Sequence, residues 1–329
     1  MRATVLQAGA RVSVDCRPPR FTRLIEEALG PSLLLGTADD DPDVNLVVSA
    51  DGAPFDLDGW APLTRGAYHL DGQVVLVNAC GSGFDLRMTV AEYLPYAKVH
   101  VEARYRPPVR ERAAALLMPS RFQLLARAVL LQYPAMWVAG TCGRIPLHAG
   151  AVTVGDGVAL LAGPGGVGRS TLLFNALDSG ERACSDNLCV TDGQTVHGVI
   201  EPVRIQGAQG RRMPHGRAEC TLSNRVDALI PDRLVVLRRV PSGRSGSRAL
   251  EPELAARVLL AGTYMAGELR RYWGFAATLS MGTGRGPVHP PVADTAREFA
   301  RLPAVEITLG EPRVSSLLDL LDAWQGVRS

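Results

Sequence analysis

The residues whose types and spacing point to chemistry are Gly163-Pro164-Gly165-Gly166-Val167-Gly168-Arg169-Ser170-Thr171. They follow the phosphate-loop pattern G-x-x-x-x-G-K-[ST], with Arg169 where the pattern has lysine. Glycines at 163, 165, 166 and 168 permit backbone angles that other residues avoid, so successive N–H groups can turn inward toward phosphate oxygens. A helix after them adds the positive end of its dipole. Ser170 is then placed to offer its hydroxyl to a Mg²⁺ that bridges two phosphates, with Thr171 as a second hydroxyl beside it. Gly163, Gly165, Gly166, Val167, Gly168, Arg169, Ser170 and Thr171 are thus the expected nucleotide-binding set, with ATP or another nucleoside triphosphate and Mg²⁺ as the ligands. Asp186 supplies a carboxylate in a β-prone run, and a carboxylate at a strand end beside such a loop is the second element of a Mg²⁺–nucleotide site.

Arg169 is the departure that matters. Lysine is a compact point charge, whereas arginine is a longer planar fork that places the same charge elsewhere. Binding can survive that change while phosphoryl transfer falters. The chain is biased, however: Lys98 is the only lysine among 35 lysine and arginine residues, so arginine here does not by itself mark a dead site.

The elements that must position these residues can be read around them. The apolar run 158–162 predicts a strand before the loop, paired with 151–154 through the turn Gly155-Asp156-Gly157, and 172–177 predicts the helix after it, stopped at Gly180. Residues 1–135 read as a separate α/β region. It has strand-like stretches over 3–14, a helix over 20–29 ended by Gly30-Pro31, and a hairpin of 68–70 with 74–77 about Asp71-Gly72. The run Asp39 to Asp43 reads as a solvated turn. A helix over 109–131 is expected to break near Pro119, with Ser120 as the cap of its second part. Later segments read as a strand at 234–237, a mobile Gly/Ser/Arg loop at 241–248, helices at 253–260 and 264–273, a long Gly/Pro-rich connection at 282–291, a strand at 305–309 and a closing helix at 314–324.

At 329 residues the chain has length for two domains, and 47% apolar with 21% charged residues is an ordinary globular balance. A formal charge of +2 is too small to argue for nucleic acid or an anionic membrane as partner, and neither is expected. No run reaches the eighteen or so apolar residues of a membrane span, and the first residues do not lead into a signal-peptide core, which predicts a cytoplasmic protein with no membrane partner. The six cysteines lack C-x-x-C spacing and read as free thiols.

The segment Arg144-Ile145-Pro146-Leu147-His148-Ala149-Gly150-Ala151, the loop, and Ser185-Asp186-Asn187 together resemble the HPr kinase/phosphorylase family, whose P-loop domain is akin to that of phosphoenolpyruvate carboxykinase. The resemblance is closer to the HPr-kinase-like proteins encoded beside peptide and other natural-product biosynthesis genes, which carry L-H-A-x-x-V ahead of the loop and an Asp-Asp pair after it. It covers about 143–190. It implies an α/β fold with an N-terminal α/β domain over 1–135 and an HPr-kinase-like P-loop domain with a mixed sheet over 136–329. It also implies catalytic roles for His148 at the phosphate pocket, for Asp186 as metal ligand or base and for Arg169, with Ser170 and Asp186 on the metal. Asn187 stands in the second acidic position, where an amide brings no charge and accepts no proton usefully. Arg204, Arg211 and Arg212 lie where such proteins place basic residues, and read equally as loop arginines. Relatives often assemble, which implies a homo-oligomer.

Two readings follow. In the first, the protein is an ATP- and Mg²⁺-dependent kinase that phosphorylates a hydroxyl on a peptide or small-molecule acceptor in a biosynthetic pathway. In the second, Arg169 and Asn187 mark a catalytically silent module that binds nucleotide or a partner; a loop that admits no nucleotide would leave a scaffold.

Overall fold

In the computed structural model, which describes residues 1–32, 34–35, 41–91, 97–213, 216–222, 224–241, 243–287, 290–310 and 316–325, the alternating residues at the start of the chain form a hairpin. Strand β1 (Arg2–Gln7) pairs antiparallel with β2 (Ala10–Cys16), and their inward side chains, Val5, Val12 and Val14 among them, are buried. Helices and mixed sheets occur throughout, giving an α/β structure of two compact units: Met1–Gly143 with Arg270–Pro290, and Arg144–Leu269 with Pro291–Ser329.

The first unit is built on a sheet that joins these two strands to β3 (Leu34–Leu35), β4 (Val44–Val48), β5 (Ala61–Thr64), β6 (Ala67–Leu70), β7 (Gln73–Leu76), β8 (Phe84–Ala91) and β9 (Lys98–Tyr105). Among the described residues the order is β3-β1-β2-β4-β9-β8-β7-β6-β5. The expected hairpin is β6 with β7, and Asp71 and Gly72 both take positive φ, +47° and +74°, as its two-residue turn requires. Helix α1 (Pro19–Leu29) buries Phe21, Leu24, Ile25, Ala28 and Leu29.

Beyond it the helical segment departs from expectation. α2 (Val109–Leu117) and α3 (Pro119–Arg127) do part at the proline, but Met118 rather than Ser120 is the capping position, since Pro119 already occupies the first turn. A π-turn at Ala128–Gln132 then leads into α4 (Tyr133–Thr141), which is buried from Tyr133 to Ala139. This apolar helix explains why the first unit extends to 143 instead of the expected 135, and why 270–290 joins it: Trp137 donates its indole N–H to Ser280 Oγ at 3.1 Å, and Tyr133 packs on Tyr272 and Phe275. Among the described residues no single helix is long and apolar enough to cross a membrane; α2 with the helix 119–141 reaches that length only across a 114° bend.

The second unit holds β10 (Ile145–Leu147), β11 (Gly150–Val154), β12 (Gly157–Ala162), α5 (Arg169–Asp178), β13 (Ala183–Ser185), β14 (Cys189–Thr191), β15 (Val196–Gly198), β16 (Val203–Gln206), β17 (Arg211–Arg212), β18 (Arg217–Cys220), β19 (Ala228–Leu229), β20 (Arg233–Arg239), β21 (Gly246–Ala249), α6 (Pro252–Met265), the start of α7 (Gly267–Thr283), α8 (Val292–Phe299), β22 (Ala304–Leu309) and α9 (Leu317–Gln325). Its main sheet runs β13-β11-β12-β20-β22-β21 among the described residues. β12, β20 and β22 are parallel, and their near-continuous apolar runs are those of strands covered on both faces. Leu161, Leu172, Leu173, Val235, Leu237, Ile307 and Leu321 share one core.

Four expectations are revised here. The loop expected at 241–248 contributes β21, because pairing with β22 recruits 246–249 into the sheet. The helix expected to run on through 264–273 is interrupted at Ala266, whose extended ψ of 121° ends α6. Helix α7 reaches into the stretch read as a connection at 282–291. The closing helix begins at 317, and positions 39–40, 242, 288–289 and 314–315 of the expected segments lie outside the described residues.

Candidate functional site

One edge of the main sheet collects the residues of interest. β13 is antiparallel to β11, which is antiparallel to β12, so β12, β13 and β20 all end at the same edge. The glycine-rich loop leaves β12 there, Asp186 follows β13, and Arg239 closes β20. Gly150 lets the strands approach: a Cβ on it would lie 2.9 Å from the Asp186 carbonyl oxygen. In open sheets the crevice beyond the carboxyl ends of the strands is the usual ligand position. Here it is a cleft of about 730 Å³ contained in the second unit, within the size range of small-molecule sites.

The loop is shaped by its glycines, with φ of +152° at Gly163, +82° at Gly166 and +116° at Gly168, the residue that precedes α5. No side chain caps the first turn of α5, so its leading N–H groups are left for an outside acceptor. Pro164, Gly165, Gly166, Gly168, Ser170 and Thr171 line the cleft, whereas Gly163 does not and Val167 is buried in the core.

Arg169 points away from the loop opening. Its Nη1 donates to the His148 carbonyl oxygen at 3.3 Å, and its Nη2 lies 2.8 Å from His148 Nε2 and donates to Asn187 Oδ1 at 3.2 Å. His148 Nε2 and Asn187 Oδ1 are themselves 2.9 Å apart. A neutral ring nitrogen offers either a lone pair to the guanidinium or an N–H to the amide oxygen. Beside a cation the lone-pair form is favoured, and burial together with Arg169 pulls the His148 pKa down to about 4. The backbone N–H of His148 donates to Thr263 Oγ1 of α6 at 3.2 Å, which pins the residue from the other side.

Asp186 lies next to Ser170, whose hydroxyl donates to Oδ2 at 2.8 Å. Its other oxygen, Oδ1, is buried without a partner, and burial raises the pKa of the carboxyl in spite of Arg169 and the Ser170 bond. Two further acids complete the site. Arg204 of β16 donates to Glu201 Oε2 and to Glu268 Oε1, each at 3.3 Å. Burial, opposed by Arg204 and reinforced by Glu268 and Asp186, pushes Glu201 up to about 7. Glu268 moves the other way: burial works against its charge, but Arg204 and its other hydrogen bonds hold its pKa below the ordinary value.

His148, Arg169, Ser170, Thr171, Asp186 and Asn187 thus meet in one cleft. Of the basic candidates, Arg204 lines it and is paired, while Arg211 and Arg212 form β17 and are not among the lining residues. Sequence reasoning did not single out Glu268, Arg217 or Arg239, which also line it; they lie far along the chain and only tertiary pairing brings them together. Among the described residues no three or more His, Cys, Asp or Glu side chains gather where they could hold a metal. The six cysteines are free, and Cys16, Cys184 and Cys189 are buried. No protein-family model matches the chain, and no curated protein matches it.

Proposed function

We propose that the second unit binds a nucleoside triphosphate with Mg²⁺ in this cleft and acts as an HPr-kinase-like phosphotransferase, with a hydroxyl of a peptide or small metabolite as acceptor. The observation that carries the reading is the pairing of Ser170 and Asp186 at the head of α5, with Asp186 Oδ1 left open. A hydroxyl and a carboxylate oxygen are hard donors of the kind Mg²⁺ takes when phosphates complete its shell, so the residues present fit the ion. Bound Mg²⁺ supplies neutralisation of charge on the β- and γ-phosphates. The α5 N–H groups and the loop then hold phosphate oxygens, and Asp186 serves either as a ligand of the metal or as the base that takes the acceptor hydroxyl's proton. His148, engaged with Arg169, positions that arginine. The strand-loop-helix order and the resemblance over 143–190 support a P-loop architecture for this unit.

A second reading is favoured by one observation. Arg169 is tied to His148 and Asn187 instead of reaching the loop, the arrangement expected of a module that binds without turnover. The test is phosphorylated product and ADP from the full chain with Mg²⁺–ATP and pathway intermediates. The kinase reading expects turnover in the natural chain and a loss of roughly 10²- to 10⁴-fold on Asp186→Ala, the usual weight of an acid–base group. Turnover that appears only after Arg169→Lys with Asn187→Asp would establish the silent reading.

A further inference from the structure

We propose that Arg217 is the cation that meets the phosphates over the loop, in the role the motif lysine would have. This rests on the nucleotide reading of the cleft. Arginine at 169 cannot fill the role in the arrangement described, because the residue is 7% exposed and its guanidinium is directed into His148 and Asn187. Arg204 is likewise committed, to Glu201 and Glu268. Arg217 is different. It opens β18, where its backbone is held opposite Gln206 of β16, and both residues line the cleft. Its side chain reaches the loop itself: a Cβ built on Gly166 would lie 3.9 Å from Arg217 Nη2. Arg217 is exposed, and among the described residues no carboxylate forms an ion pair with it.

Two observations independent of Arg217 fit a metal–polyphosphate complex beneath it, the carboxylate oxygen suiting its cation and the helix start its anion. Asp186 Oδ1 is buried in the cleft wall with nothing to bind, and the first turn of α5 has no side-chain cap. A planar fork above the loop and backbone N–H groups within it would enclose a polyphosphate from two sides. Arginine suits this position because its paired N–H groups match two phosphate oxygens at once. The ligand class is a nucleoside di- or triphosphate, since adenosine alone offers no anionic phosphate oxygens to either side.

The experiment is calorimetric titration of the full chain with Mg²⁺–ATP and Mg²⁺–ADP, with adenosine as the ligand that lacks phosphates. Arg217→Gln should weaken Mg²⁺–ATP by roughly 10- to 100-fold, the effect of removing one charge-assisted hydrogen-bonding group. Its unliganded melting temperature should match the natural chain because the side chain is exposed, and Arg217→Lys should recover part of the affinity. Unchanged Mg²⁺–ATP affinity in Arg217→Gln would overturn the proposal and leave the nucleotide reading standing. No binding of Mg²⁺–ATP or Mg²⁺–GTP to the natural chain would overturn both.

Discussion

Asp85 in the first unit and Asp186 in the second are about equally hidden, at 1% and 6% exposure, yet the fold treats them differently. Asp85 Oδ1 accepts from the backbone N–H of Asn78 at 2.8 Å and Oδ2 from Arg106 Nη1 at 2.6 Å, while Asn78 Oδ1 accepts from Gly83 N–H. Both carboxylate oxygens of Asp85 thus have a donor. Asp186 has one donor, Ser170, and a second oxygen with none beside an open cleft. Buried polar atoms are almost always satisfied, so the unpartnered oxygen of Asp186 beside the loop is the feature on which the proposed metal–nucleotide site rests. The first aspartate is fully engaged by its own unit, whereas the second keeps one oxygen without a donor.

The comparison can be broken most readily at Asp85. Asp85→Ala strips two hydrogen bonds from a turn and leaves Arg106 without its partner, and should cost about 3 kcal/mol in urea unfolding, the lower end for a broken buried pair because Arg106 is about one-third exposed. A loss near zero would mean that satisfaction of a buried carboxylate does not mark a structural role here.

The next effect is in pH dependence. His148 is faced by Arg169, Asn187 and Glu268, and its folded pKa of about 4 lies below its unfolded 6.5, so the stability tied to its neutral form is complete above pH 6.5 and lost as pH falls toward 4. Glu201 is faced by Arg204, Glu268 and Asp186, and its folded pKa of about 7 lies above its unfolded 4.5, so its contribution is complete below pH 4.5 and lost as pH rises through 7. The two oppose each other between pH 4.5 and 6.5. Glu201→Gln should therefore make stability climb across pH 4 to 6.5, by about 2 kcal/mol, and His148→Gln should make it fall from pH 4.5 to 7 by a similar amount. Urea midpoints read at half-unit steps of pH would show both slopes, and a variant whose slope matched the natural chain would remove its residue from the account. The smallest effect belongs to Asp186→Asn without ligand, expected within about 1 kcal/mol of the natural chain because Oδ1 of the amide still accepts from Ser170 and the buried charge is gone.

What the sequence made legible was local. The strand-like stretches over 3–14, the turn at Asp71-Gly72 and the apolar run before Gly163 each carry a local signal, and the structure has strands there. Gly180 stops α5 as expected, with φ of +93° and its N–H donating to the Leu177 carbonyl. His148, Ser170 and Asp186 stand out in the sequence because the loop gives them a frame, and all three line one cleft. What was not legible depends on distance along the chain. β12 pairs with β20 some seventy residues later, and β21 is a strand only because β22 is beside it. The inward turn of Arg169 is hidden for the same reason, since it is set by His148 and Asn187 in two separate inter-strand connections. Glu268 and Arg217 carry no local pattern at all.

The central claim is that the cleft at the head of α5 is a Mg²⁺–nucleotide site anchored by Asp186. The most direct measurement is the melting temperature of the full chain with and without Mg²⁺–ATP, beside Asp186→Asn. At a hundred times its Kd a ligand stabilises the folded state by about 2.7 kcal/mol. The account predicts an upward shift of that size in the natural chain, and little or none in Asp186→Asn. A natural chain whose melting temperature ignores ATP, ADP and GTP with Mg²⁺ would contradict it.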